Sequence, residues 1–162
     1  MKINGLIYQL PILIRSLIIA FVLVLSIGFY TGLLFVSDTS DVSVSGIEEQ
    51  YNGNELQQNV DIMKFKKSSR EMLTIIHTHI LSMSLIFFLL GGLLSITRLN
   101  KHLKCFLVLE PFLSVILTFG GIYLMWLGIT WMKYIVLISG ILMTVSFILS
   151  SLIVLYQSIC KK

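Results

Sequence analysis

Charge is scarce in this chain. Of 162 residues only 12% are Asp, Glu, Lys or Arg, while 56% are hydrophobic and mean hydropathy is +0.93. That leaves too little polar surface to solvate a globular fold, so the solvent of most of the chain is lipid. Cysteine is equally rare. Cys105 and Cys160 form no CxxC and no Cys/His spacing, which sets aside a disulfide framework and a structural zinc site. A glycine-rich phosphate loop, a nucleophile–base arrangement and a carboxylate pair at usable spacing are also lacking, which disfavours hydrolases and nucleotide-driven pumps. No A-x-A-like site follows the first apolar run, which therefore reads as a retained signal anchor.

What is present is four long apolar runs, at about 12–36, 72–96, 106–129 and 134–156. A hydrocarbon core about 30 Å thick takes roughly 20 helical residues at about 1.5 Å each, and every run meets that length. Barrel strands would show roughly ten-residue segments of alternating polarity, whereas these runs are apolar all round. The expectation is an all-α, up-down-up-down membrane bundle of four helices in a single domain over 1–162, with a polar loop over 37–71. The net charge of +4 sits at the ends of the runs, where it marks topology and lipid headgroups, with no nucleic acid implied.

Lys2, Arg15, Arg98, Lys101, Lys104, Lys161 and Lys162 fall on the face shared by both termini, against Lys64, Lys66, Lys67, Arg70 and Lys133 on the other. This places both termini in the cytoplasm. The 37–71 loop, which also carries Asp38, Asp41, Glu48, Glu49, Glu55, Asp61 and Glu71, then lies outside. Asn52-Gly53-Asn54 marks a turn within it, and the stretch from Met63 onward is compatible with a helical extension of the second run above the membrane. Gly28 and Gly32, one turn apart, read as a helix-packing face. Trp126, Trp131, Tyr123 and Tyr134 read as an interfacial belt.

Two constellations carry chemistry. His77 and His79 lie in the second run, and ionisable groups inside a bilayer mark a functional site by default. Two residues apart, they point about 200° from each other, so one ligand cannot take both. Met83 follows His79 by four residues on one face, a spacing that suits a copper ion or one wall of a haem pocket. Arg70 and Lys66 lie seven and eleven residues before His77; on a continuous helix both would stand above it, where haem propionates sit. His102 is too far away to be a second axial ligand, which leaves Met125, Met132 or a second subunit. The other constellation is Arg15 with Glu110, each about one turn inside the cytoplasmic face. Its readings are an intramembrane ion pair clamping two helices, separate snorkelling, or a proton or ion entry point.

The segment IHTHILSMSLIFFLLGGLL resembles small uncharacterised bacterial inner-membrane proteins in which an H-T-H-x-L stretch opens a span. The resemblance implies a multi-pass protein of the bacterial cytoplasmic membrane, associated with respiratory or haem proteins, and implies no enzyme. Three functions stay open on the sequence. The first is haem b or, less favoured, copper binding through His77 or His79 in electron transfer or beside a respiratory complex. The second is a non-catalytic assembly subunit, in a complex or a homodimer, whose outer loop docks a partner. The third is a proton-coupled transporter, for which one chain supplies few helices.

Overall fold

The computed structural model describes residues 4–40, 43–55 and 62–160. Lys2, Asp41, Asp61, Lys161 and Lys162, used above in the charge count, lie outside the described residues. A short 3₁₀ turn, Leu6–Gln9, precedes α1 (Ile12–Ser40), α2 (Val44–Asn52) and α3 (Ser69–Ser95). These are followed by α4 (Lys101–Val115), which passes through a π-helical turn (Ile116–Gly120) into α5 (Gly121–Trp126), and by α6 (Met132–Ile159). Among the described residues every regular element is helical. Four continuous stretches are long and apolar enough to cross a membrane: Ile12–Ser40, Ser69–Ser95, Lys101–Trp126 and Met132–Ile159.

The helix starts follow from local capping. Pro11, with its fixed φ, stands before α1 and its carbonyl accepts from the Arg15 amide. Asn100 accepts from the His102 amide to open α4. At α3, Ser68 accepts from the Glu71 amide while the Glu71 carboxylate accepts from the Ser68 amide. This reciprocal box starts the helix at Ser69, not near Met63. Residues 63–67 instead form an extended strap bound to the end of α2, with Asn54 donating to the Lys64 carbonyl and the Lys67 amide to that of Tyr51. Gly53 turns the chain between them at φ 78°, and a Cβ there would come within 2.7 Å of the Lys66 nitrogen.

The core lies between α4–α5 and α6, the two most buried spans. Gly121 lets α5 and α6 approach so closely that a Cβ on it would meet Val136 Cγ2 at 2.8 Å. Phe147 of α6 is the hub for the flanking helices. It stacks on Phe29 of α1 at 3.8 Å between centroids and meets Phe87 of α3 edge-on at 6.3 Å. Apart from Arg15, Ile18, Val22 and Ser40, α1 is at most partly buried. Among the described residues nothing lies within 4 Å of where a Cβ on Gly28 or Gly32 would sit, so the expected glycine packing face meets no other described helix.

One end of the bundle is tied together by polar contacts. Gln157 exchanges two hydrogen bonds with the Arg98 backbone, at 2.7 and 3.1 Å. Lys104 Nζ donates to the Ser95 and Thr97 carbonyls and to Asn4. The opposite end is capped by α2 and the strap. Asn52 donates to the Met125 carbonyl, Trp126 Nε1 to the Lys67 carbonyl and Lys64 Nζ to the Thr39 carbonyl, while Lys133 pairs with Glu48 at 2.7 Å.

Candidate functional site

α4 carries Glu110 nine residues beyond its start, about 14 Å along the axis. Its side chain enters the α4–α6 interface, where Oε1 accepts from Ser114 and Oε2 from Ser146. All three residues are buried. Ser146 stands fourteen residues after Met132 and thirteen before Ile159, which puts the carboxyl beside the middle of α6. Two turns toward the α2 end, Thr118 and Ser139 hydrogen-bond at 2.7 Å, and Ser139 also donates to the Ile135 carbonyl. One turn the other way along α6, Ser150 is buried and its hydroxyl has no partner among the described residues; the same holds for Ser151 and Ser158. Buried hydroxyls normally find partners, so these orphans are costly. The result is a polar seam: Glu110, Ser114 and Thr118 at four-residue spacing on α4–α5, facing Ser139, Ser146 and Ser150 on α6. Ser139 to Ser150 covers about 16 Å, roughly half the hydrocarbon thickness.

Arg15 does not pair with Glu110. Its Nε donates to the Ser158 carbonyl at 2.7 Å and its Nη2 to the Ile159 carbonyl at 3.0 Å. The last carbonyls of a helix have no intrahelical donor and carry partial negative charge, so a guanidinium there satisfies both needs. The Glu110 partner Ser146 and the Arg15 partner Ser158 are twelve residues apart on α6, about 18 Å. That separation is why the expected ion pair is absent.

Both histidines are exposed on α3. His77 lines a shallow depression with Ser69, Arg70, Leu73 and Thr74, so Arg70 and His77 do share one face. Lys66 does not join them, because it belongs to the strap before the helix and lies over the Trp126 ring, 5.3 Å from its centroid. His79 Nδ1 is 2.7 Å from the Ile75 carbonyl. An acceptor there requires Nδ1 to carry the proton, which leaves Nε2 as the acceptor in the neutral ring. The ring lies 4.9 Å from that of Phe119, in the π turn. Met83, one turn on, packs against the core, and Met125 and Met132 are buried within it. Among the described residues no three His, Cys, Asp or Glu side chains come together as a metal-binding group.

The seam's serines went unnoticed in the sequence, although Ser139, Ser146 and Ser150 recur at helical spacing on an otherwise apolar run. Trp126 has a role beyond an interfacial belt, since its indole N–H holds the strap.

Four spanning helices around a buried polar seam define a multi-pass membrane protein of the helical-bundle class. Residues 41–162 match the model of a family described as a transmembrane helical domain, and the chain belongs to that family. The match covers α2 to α6 and leaves α1 outside it. No curated protein and no solved structure matches the chain.

Proposed function

We propose that this protein takes up and releases a proton at Glu110, as one step of proton-coupled transport across the bacterial cytoplasmic membrane, with both termini inside. The observation that carries the reading is that both carboxyl oxygens, buried beside the middle of α6, are held by hydroxyls and by no cation. An uncompensated charge at that depth costs several kcal/mol, so neutrality has to come from something that binds there, and a proton is the smallest such species. The titratable or charged groups nearest along the packed helices are Arg15 and Tyr30 on α1 and His79 on α3. On α4–α5 they are Cys105 and Tyr123, and on α6 Tyr134 and Tyr156. The hydroxyls of Thr118, Ser139 and Ser150 extend the polar lining toward both ends.

The test combines proteoliposomes carrying an internal pH dye with infrared difference spectra over a pH series. Expected are potential-driven proton entry that Glu110→Gln abolishes, and a carboxylic-acid band that this variant removes and Ser146→Ala shifts. If the wild-type protein shows neither flux nor such a band, the reading fails.

His79 favours a second reading, because fixing Nδ1 on a backbone carbonyl leaves Nε2 as a ready ligand for haem b or copper. The second ligand would come from another chain, a homodimer partner or a respiratory complex. Protein extracted in mild detergent from haem- and copper-supplemented cells would show a Soret band or bound copper, lost in His79→Ala. A colourless, metal-free preparation that also fails to take up added haem or copper removes this reading. The assembly-subunit alternative rests on the outer segment, whose described part is already fastened to its own bundle by Asn52, Lys67 and Trp126.

A further inference from the structure

The exposed face of α3 changes character in a fixed order with depth. Ser69 and Arg70 stand at its start, Leu73, Thr74 and His77 follow within two turns, and Leu81, Leu85 and Phe88 continue the stripe into the span, all of them exposed. The first five of these groups line one shallow depression. The spacing from Arg70 to His77 is about 10 Å, and from His77 to Phe88 about 16 Å. Cation, then hydroxyl and imidazole, then hydrocarbon is the order of complementary groups that a phospholipid presents from phosphate through ester to acyl chain.

The surroundings make this place cationic. Lys64, Lys66, Lys67 and Arg70 stand within seven residues, and the strap that carries the lysines is held level with Trp126 by the Trp126–Lys67 hydrogen bond. Met63 and Phe65 on the same strap and Ile62 just before it are exposed, apolar wedges of the kind that seat a segment in a membrane interface. Among the described residues two carboxylates lie close. Glu71 is turned back onto Ser68, and Glu55 accepts from the Lys66 backbone amide at 3.3 Å. The α3 terminus itself is closed by the Ser68–Glu71 box, so the recognition comes from the side chains and not from the helix end.

We propose that this stripe holds one anionic phospholipid, its phosphate at Arg70, its ester region at Thr74 and His77, and an acyl chain along Leu81, Leu85 and Phe88. Basic side chains near a membrane surface contribute about 1 kcal/mol each toward anionic lipid, or roughly fivefold in occupancy.

The test is native mass spectrometry of the full-length protein released from nanodiscs of mixed phosphatidylglycerol and phosphatidylcholine. Expected is preferential retention of phosphatidylglycerol, reduced roughly fivefold by Arg70→Gln, largely restored by Arg70→Lys, and unchanged by Arg98→Gln at the opposite end. Equal retention of the two lipids, or a preference undiminished in Arg70→Gln, overturns the proposal. Circular dichroism of each variant separates loss of lipid from loss of fold.

Discussion

Ser146 of α6 donates a hydrogen bond to Glu110 of α4 across thirty-six positions of sequence, at the midpoint of its own helix. The contact joins the two most buried spans, and it decides what kind of substitution the interior tolerates.

Glu110→Gln keeps an acceptor for one serine and supplies a donor to the other, so thermal stability in detergent should change by less than about 1 kcal/mol. Glu110→Ala strands both hydroxyls and should cost about 1–3 kcal/mol. Equal melting temperatures for the two variants would show that these hydrogen bonds contribute nothing.

Arg15 and Glu110 are expected to behave as independent sites. In a double-mutant cycle with Arg15→Gln and Glu110→Gln, the coupling should stay below about 0.5 kcal/mol, as for residues well over 10 Å apart. Arg15→Gln alone should lower stability by about 1–2 kcal/mol through the lost cap on α6. A large coupling would restore the ion pair.

Gly53→Ala should loosen the cap. A side chain at φ 78° is strained, by about 1–2 kcal/mol, before the clash with the Lys66 backbone is counted. Hydrogen exchange of the Asn54 and Lys67 amides should quicken, while amides within α6 keep their rates.

Tyr51, on the last turn of α2, has its phenol pushed above the ordinary value of 10.0 by burial. The folded cap therefore holds the proton more tightly than the unfolded segment does. Its contribution to stability is complete below about pH 10 and is lost as pH rises through the folded value. Trp126 fluorescence should report an alkaline release of the strap that is weaker in Tyr51→Phe. Identical alkaline profiles would remove Tyr51 from the account.

The four spans and the all-helical class were legible because they depend on apolar length alone, which the bilayer sets. The start of α3 was legible in principle, since Ser68 to Glu71 spells a capping box, but hydropathy alone bounds only the apolar run and leaves open a helical extension back to Met63. The Arg15–Glu110 pairing was expected from depth counted inward from span ends. Helices extending past the hydrocarbon core shift that count, and no sequence pattern says that a guanidinium will prefer backbone carbonyls. The seam around Glu110 escaped for another reason: serines scarcely lower the hydropathy of a run, so their common face appears only once α4 and α6 are docked.

The π turn at Ile116–Gly120 acts as a phase shifter. It sits between a half-span whose inward face is set by Glu110 and Ser114 and a half-span whose inward face is set by Ile122 and Met125. Removing a single residue there would rotate everything beyond it by about 100° relative to α4. Met125 would then leave the core, and the Trp126 indole would leave the strap. The angular registration between the membrane interior and the outer cap is thus held by one turn of backbone.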